Sequence, residues 1–257
     1  MEYIMLENIE FLACFSLIVG SCFGSFANML IYRLSSDKSL AESRSQCPQC
    51  QNPLYLRDLI PIFSYVFLSG KCRFCNHPFG IRYLIVELIM PIVCFLFLYP
   101  DSFMYFNIQL LLFGFIACIL FFTDLEAYIL PLPLTMLLLL IGIFISFLND
   151  TLIAQLISTS IISGILLSIR WIANFIYKKD SFGLGDIILL AGISLNFGWQ
   201  LCVSTFYCAV ILGGFYSIIL ILLKKKSRKD LIPFGPFIIL GSLGSTSFYN
   251  FIVPLLF

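Results

Sequence analysis

The sequence predicts an all-α polytopic membrane protein with about eight transmembrane helices and a small polar domain between the first and second helices. The 257 residues are 60% hydrophobic and only 11% charged, whereas soluble domains carry about 25% charged residues. The apolar residues fall into runs of about the 20 residues that a membrane helix needs. A single connection between these runs is long. A soluble globular protein is therefore excluded, and the net charge of +1 does not suggest a nucleic-acid partner.

The apolar runs divide the chain into three predicted parts. Residues 1–32 form a first transmembrane helix, residues 33–82 a polar domain, and residues 83–257 a transmembrane domain. Pro131, Pro133 and Gly198 interrupt or shorten some of the runs. The eight predicted spans are 10–32, 83–99, 105–122, 130–148, 152–176, 186–203, 204–223 and 234–256.

The basic residues predict the orientation of the chain in the membrane. Of the 15 Lys and Arg residues, all but Arg170 lie in the first, fifth and seventh connections. Connections rich in Lys and Arg stay on the cytoplasmic side. We therefore expect the long first connection to be cytoplasmic and both termini to face outward.

Two aspartates lie at the cytoplasmic edge of this predicted membrane domain. Asp124 ends the third span, and Asp186 opens the sixth span directly behind Gly183 and Gly185. Ionisable residues at such positions are functional candidates, and glycines allow tight turns and close approach of another chain. The charge pattern thus predicts that both carboxylates share one face and one depth.

A pair of carboxylates held close together cannot both ionise easily, so one can act as base and the other as acid on a single water. The pattern therefore predicts aspartic-protease chemistry without a metal or a covalent intermediate. The structural alternative is that Asp186 caps a helix and that Asp124 is a solvated loop acid. Glu126 is a candidate for tuning the proton affinity of Asp124, and Glu87 is a weaker candidate that could pair with Arg82 or with a neighbouring helix.

Four cysteines in the long polar connection predict a zinc site. Cys47 and Cys50 form one C-x-x-C knuckle, and Cys72 and Cys75 form a second. Paired knuckles at about this spacing are typical of tetrahedral zinc sites, and disulfides are rare in the reducing cytoplasm. Four cysteine ligands leave no open position, so the predicted zinc is structural. His77 is expected to be a polar loop residue.

A series of motifs follows in a characteristic order along nearly the whole chain. They are Gly24–Leu34, the knuckle at 47–50, Ile60–Tyr65, Ser69–Cys75, Arg82-Tyr83, Val86–Leu88, Thr123–Glu126, Gly183–Asp186 and Pro233–Phe237. In this order they resemble the type IV prepilin leader peptidase/N-methyltransferase family of Gly-x-Gly-Asp membrane aspartic peptidases. The chain departs from the family pattern at Leu132, where an aspartate is usual, and at Ile188, where a lysine is frequent.

The resemblance implies a bifunctional enzyme of the bacterial inner membrane. It would remove the short basic leader from type IV prepilins or pseudopilins after a glycine, at the cytoplasmic face, using Asp124 and Asp186. It would then methylate the new N-terminal amine, usually of phenylalanine, with S-adenosylmethionine as methyl donor. Gly183 and Gly185 would support substrate binding, and Gly70, Lys71 and Glu87 would be tied to methylation and substrate handling.

Two other interpretations remain open from the residues alone. A presenilin-type intramembrane aspartic protease shares the Gly-x-Gly-Asp motif but would not explain the four cysteines. A transporter with a zinc-stabilised cytoplasmic domain would use Asp124 and Asp186 to carry a proton or a cation. Because one chain supplies both aspartates, we expect a monomer.

Overall fold

The structure is a computed structural model that describes residues 2–36, 38–39, 45–98, 104–178, 182–226 and 230–247. Within these ranges the chain is helical, and its extended pairings are two isolated bridges rather than strands. The helices are α1 (Glu2–Ser35), α2 (Phe63–Phe67), α3 (Arg82–Leu98), α4 (Met104–Ala127), α5 (Leu132–Leu148), α6 (Leu152–Tyr177), α7 (Leu184–Phe197), α8 (Trp199–Leu222) and α9 (Gly235–Ser247). A short 3-10 helix spans Leu56–Leu59.

Four described helices are long and apolar enough to cross a membrane. They are Glu10–Ser35, Ile108–Ala127, Leu152–Tyr177 and Trp199–Leu222, and the shorter apolar helices are Leu132–Leu148 and Leu184–Phe197. The prediction of a helical membrane protein is therefore confirmed, whereas the number of eight spans stays a prediction. The end of the predicted span 234–256 lies outside the described residues, as do four of the basic residues used for orientation: Arg44, Lys179, Arg228 and Lys229.

The chain divides into two compact units, Met1–Ile119 and Leu120–Phe257. In the first unit, α1 packs along α3 at very short range. A Cβ added at Gly20 would lie 2.5 Å from the Cα of Pro91, and one added at Gly24 would lie 2.7 Å from the Cα of Glu87. Small residues of this kind let two membrane helices approach backbone to backbone. The two glycines therefore allow α1 and α3 to lie at this short distance.

In the second unit, α7 is surrounded by α5, α6, α8 and α9. Side-chain hydrogen bonds tie it to two of these helices. Ser146 of α5 donates to the carbonyl of Leu195 over 2.9 Å, and Thr159 of α6 donates to Ser194, also over 2.9 Å. Such interhelical bonds add to packing between apolar helices. The helix that carries Asp186 is thus held on several sides.

The boundary between α7 and α8 differs from the predicted boundary at 203–204. The break falls at Gly198, whose φ of 91° lies in a region that glycine adopts readily. Because the turn needs only this residue, α8 begins directly at Trp199 and runs for 24 residues. The sixth predicted span accordingly corresponds to a helix of only 14 residues, α7.

Candidate active site

Asp186 lies in the first turn of α7. The helix begins at Leu184 with Gly183 as its N-cap, so the expectation that Asp186 itself could cap the helix is wrong. Its carboxylate instead accepts a hydrogen bond from the backbone N–H of Gly183. A carboxylate in this position is stabilised by the partial positive charge at the start of the helix.

Asp124 lies in the last turn of α4 and is buried, with 5% of its surface exposed. The alternative of a solvated loop acid is therefore wrong. Its Oδ2 accepts a hydrogen bond of 2.9 Å from the backbone N–H of Gly235, the first residue of α9. The free amides at the start of a helix are natural partners for an anion.

Both aspartates line one groove of about 910 Å³ in the second unit. Asp186 is 9% exposed, and the charge of Asp124 acts on it. The groove is otherwise mainly apolar, with Phe206, Phe234 and Phe237 among its walls. The structure thus brings the two predicted acids to a single water-accessible site within an apolar region.

Glycines make this arrangement possible. A Cβ added at Gly183 would lie 2.7 Å from Oδ2 of Asp186, and one added at Gly235 would lie 2.6 Å from Oδ2 of Asp124. Both distances are well below van der Waals contact. Each carboxylate therefore occupies space that any other residue type at its glycine would fill.

Leu130 packs between the starts of α7 and α9. Its Cβ would lie 3.0 Å from a Cβ added at Gly185, and its Cδ2 would lie 3.1 Å from a Cβ added at Gly235. Leu130 also lines the groove. One apolar side chain thus contacts both glycine-containing segments that hold the aspartates.

The loop in front of Asp186 has two further contacts. The guanidinium of Arg170, from α6, donates a hydrogen bond to the carbonyl of Phe182. The Phe182 ring packs edge-on against Phe234, with centroids 5.7 Å apart. Arg170, Phe182 and Phe234 all line the groove. Glu126 is exposed and does not line it.

The four predicted cysteine ligands meet in the first unit. Their sulfurs all lie within 4.8 Å of one another, with 3.8 Å between Cys47 and Cys75 and 3.9 Å between Cys50 and Cys72. Sulfurs bound tetrahedrally at about 2.3 Å from a zinc ion would lie about 3.8 Å apart. The cluster therefore fits a tetrahedral metal ion.

The two knuckles fold in the same way. The backbone carbonyls of Cys47 and Cys72 each accept a hydrogen bond from the backbone N–H four positions later, at Gln51 and Asn76, and both of these later residues have a positive φ. Burial of Cys72 raises the pKa of its thiol, but hydrogen bonds from the N–H groups of Cys75 and Phe74 lower that pKa to about 7. Turn amides directed at sulfur favour the thiolate form that binds metal.

A second cavity in the first unit is lined by Gly70, Lys71 and Glu87, the residues expected from the resemblance to handle methylation. Glu87 is not paired with Arg82, whose guanidinium lies over the Tyr83 ring at 4.4 Å. Oε2 of Glu87 instead accepts the backbone N–H of Ile62 over 2.7 Å, and the carboxylate also bonds the Ser25 side chain. Gly70 has a φ of 66°, and its backbone lies against the Tyr65 ring.

Sequence reasoning did not identify Gly235, Leu130 or Arg170 as site residues. Gly235 belongs to the Pro233–Phe237 motif, which was recognised without a role for its amide. Leu130 belongs to the Leu130-Pro131-Leu132 run, in which the sequence pattern pointed only to Leu132 as the position of the missing aspartate. Contacts of this kind join residues as far as 111 positions apart, and no local pattern predicts them.

Two family profiles match the chain. The profile described as "Bacterial Peptidase A24 N-terminal domain" matches residues 18–100, and the profile described as "Type IV leader peptidase family" matches residues 110–218. Among solved structures, none matches this chain.

Several named proteins are similar to this chain over most of their length. A prepilin leader peptidase/N-methyltransferase of Aeromonas hydrophila is 30% identical over 255 residues, which cover 87% of this chain and 85% of that protein. The protein of the same name from Vibrio cholerae serotype O1 is 31% identical over 260 residues, covering 94% and 96%. The type 4 prepilin-like proteins leader peptide-processing enzyme of Escherichia coli O78:H11 is 29% identical over 249 residues, covering 88% and 90%.

Proposed function

Because this chain belongs to the type IV leader peptidase family, we propose that it cleaves the basic leader from type IV prepilins or pseudopilins and then N-methylates the new N-terminal residue. The observation that carries the peptidase proposal is the pair of buried aspartates, Asp124 and Asp186, in one groove. The N-methyltransferase activity appears in the names of several relatives.

In this proposal the two carboxylates act together on one water molecule. One of them, ionised, removes a proton from the water as its oxygen attacks the scissile carbonyl carbon. The other, protonated, gives its proton to the departing amine as the C–N bond breaks. The amides of Gly183 and Gly235 hold one oxygen of each carboxylate, which leaves the remaining oxygens for water and substrate.

The groove is suited to a substrate whose apolar helix begins directly after the scissile bond. Its walls are apolar around the two acids, and Gly183 and Gly185 line it, so an extended peptide in the groove would lie beside their backbone. A basic leader that stays in the cytoplasm need not bring its charge into the bilayer. These features support prepilin cleavage at the cytoplasmic face, with Asp124 and Asp186 as catalytic residues and the two glycines as supporting residues.

Methyl transfer is proposed for the cavity that Gly70, Lys71 and Glu87 line. S-adenosylmethionine would supply an electrophilic methyl group there. The N-terminal amine of the processed substrate would form the new N–C bond as the S–C bond breaks, and one amine proton would leave to water. Opposite charges on this cavity's wall, from Lys71 and Glu87, suit a ligand that carries both signs of charge.

The wider organisation follows the same proposal. Zn²⁺ held by Cys47, Cys50, Cys72 and Cys75 is the metal that best fits four thiolates in a tetrahedron. We further propose that the protein has three parts, at 1–32, 33–82 and 83–257, and eight transmembrane spans. It lies in the inner membrane as a monomer, with both termini outside. The distribution of basic residues supports this orientation.

Cleavage of a purified prepilin in detergent tests the proposal. We expect the wild-type protein to shorten the substrate after a glycine, and Asp124→Ala and Asp186→Ala to lose at least about a thousandfold in rate, as removal of an essential acid or base does. Asp150→Asn is the matched control, because Asp150 is an exposed turn residue outside the groove. Full activity of either aspartate variant would refute the role of the pair.

A mass measurement of the product separates the second activity. With S-adenosylmethionine present, the product should gain the mass of one methyl group, and without it the product should stay unmodified. Cleavage without any gain in mass would support the proposed peptidase activity and refute the proposed methyltransferase activity.

A further inference from the structure

Asn28 carries a buried acceptor that no described group satisfies. The side chain is 3% exposed, and its Nδ2 donates to the carbonyl of Tyr83 over 2.8 Å. Because this partner is an acceptor, the amide orientation is fixed and Oδ1 must point elsewhere. Oδ1 has no hydrogen-bond partner among the described residues, and leaving a buried acceptor unpaired costs free energy.

This acceptor belongs to the cavity of the first unit. Asn28 lines that cavity together with Glu87 and Lys71. The other buried side-chain atoms without a partner among the described residues, on Ser16, Ser35, Gln155 and Thr205, line neither this cavity nor the groove of the second unit. The unpaired oxygen of Asn28 therefore points to a ligand that donates a hydrogen bond.

Glu87 stands one helical turn away on the facing helix. Asn28 bonds the carbonyl of Tyr83, and Glu87 lies four residues, about one turn, after Tyr83 on α3. Glu87 is buried, and its contacts with the Ile62 N–H and the Ser25 side chain use only part of the acceptor capacity of a carboxylate, which has about four lone-pair sites. In the part of the chain that the structure describes, no cation pairs with it, whereas Asp58 on the same cavity wall is already paired with Arg73 at 2.6 Å.

Glu87 also holds a strained turn. Ile62 has a φ of 65° and a ψ of −55°, and the N–H of Phe63 bonds the carbonyl of Pro61, which makes a γ-turn with positive φ. This conformation is rare for a β-branched residue. A purely structural role for Glu87 would need only its acceptor oxygen on Ile62, so the role of its charge can be tested separately.

We propose that Asn28 and Glu87 together bind the ammonium group at the amino-acid end of the methyl donor, a role that rests on the proposed methyltransferase function. An ammonium supplies three N–H donors and a positive charge, which match the unpaired oxygen of Asn28 and the uncompensated carboxylate of Glu87. Lys71 offers a complementary charge for the carboxylate of the same zwitterion. The cavity has about 140 Å³, well above the roughly 10–15 Å³ that one water needs on the same measure.

Calorimetric titration of the purified full-length protein in detergent tests this proposal with three ligands. S-adenosylmethionine carries both the ammonium and the sulfonium, S-adenosylhomocysteine carries only the ammonium, and 5′-methylthioadenosine carries neither. We expect Asn28→Leu and Glu87→Gln to weaken the first two ligands at least about tenfold, the loss expected for one hydrogen bond to a charged group. Binding of 5′-methylthioadenosine should change less than about twofold.

Glu87→Gln keeps an oxygen for the Ile62 N–H, so the turn itself is preserved. Ser16→Ala is the matched control, because Ser16 is another buried and unpaired polar residue of α1 that does not line the cavity. An equal loss of all three ligands would mean a structural role and would overturn the proposal, as would unchanged binding in both variants.

A loss confined to S-adenosylmethionine would assign the carboxylate to the sulfonium and also overturn the proposal. If the wild-type protein binds no S-adenosylmethionine at all, the methyltransferase function fails and this inference fails with it. Continued prepilin cleavage by the same sample would then show that the peptidase function stands.

Discussion

Backbone amides of two glycines hold the two carboxylates at the proposed catalytic site. Gly183 donates to Asp186 within the first turn of α7, and Gly235 donates to Asp124 across 111 residues of sequence. In both cases the missing Cβ is as important as the amide, because the carboxylate oxygen occupies the place of that carbon. Holding a reactive group within a few tenths of an ångström is a large part of what an active site contributes.

Gly235→Ala should therefore lower prepilin cleavage without altering either acid. Its new Cβ would lie 2.6 Å from Oδ2 of Asp124, and displacing a catalytic group by about 1 Å can cost about a hundredfold in rate. Cleavage rates of the purified variant in detergent measure the effect. Gly244→Ala is the matched control on the same helix, because nothing lies within 4 Å of its added Cβ. Equal activities of the two variants would contradict the role of Gly235.

At the scale of elements, the starts of α7 and α9 are spaced by one side chain. Leu130 lies 3.0 Å from the position that a Cβ would take at Gly185 and 3.1 Å from the corresponding position at Gly235, and these segments carry the amides that hold Asp186 and Asp124. Protein interiors are packed nearly as densely as crystals, so a shift of one side chain displaces the atoms that it contacts. The separation of the two carboxylates thus depends on an apolar residue that takes no part in the chemistry.

A pair of double variants tests this spacing. Gly185→Ala should slow cleavage, because the three nearest neighbours of its new Cβ are the Cβ, Cδ1 and Cγ of Leu130. Adding Leu130→Gly removes all three of these atoms and should restore part of the rate. The same addition should not rescue Gly235→Ala, whose nearest neighbour is Asp124. Rescue of both glycine variants, or of neither, in the prepilin cleavage assay would argue against the spacing role.

The cysteine knuckles are the element most dependent on a metal. Cys75→Ser should abolish bound zinc, measured by elemental analysis of the purified protein, and should make residues 45–81 sensitive to limited proteolysis. Structural zinc contributes about 10–16 kcal/mol to the folding of small domains. Cys14→Ser is the control, since Cys14 is an exposed residue of α1 outside the cluster. Zinc retained in full by Cys75→Ser would refute the four-thiolate site.

At the scale of the whole molecule, the sequence predicted the helical membrane class and the two functional clusters because both depend on composition and local spacing. Asp124 and Asp186 were found from their apolar surroundings, and the four cysteines from two short motifs. Of the two partners expected for Glu87, Arg82 does not bind it, whereas a neighbouring helix does, because its carboxylate contacts Ser25 of α1 as well as the backbone amide of Ile62. The end of α7 was misplaced because a single glycine, Gly198, turns the chain without any polar connection.

The proposed orientation predicts the outcome of reporter insertions in the second unit. Alkaline phosphatase, which is active only outside the cytoplasm, should be active when inserted after Asp150 and inactive when inserted after Lys226. The first position lies between α5 and α6 in a connection without Lys or Arg, and the second lies in a connection with five of them. The reverse pattern would refute the proposed orientation, because it would place the aspartates on the outer face of the membrane.

The contact between each aspartate and its glycine also affects how relatives of this chain should be judged. A gene copy that keeps both acids but carries alanine at the position of Gly183 or Gly235 would pass any search for the catalytic pair. Its carboxylates would nevertheless lack the space that they occupy here. Such copies are expected to be pseudoenzymes, and the two glycines are therefore as diagnostic of an active peptidase as the acids themselves.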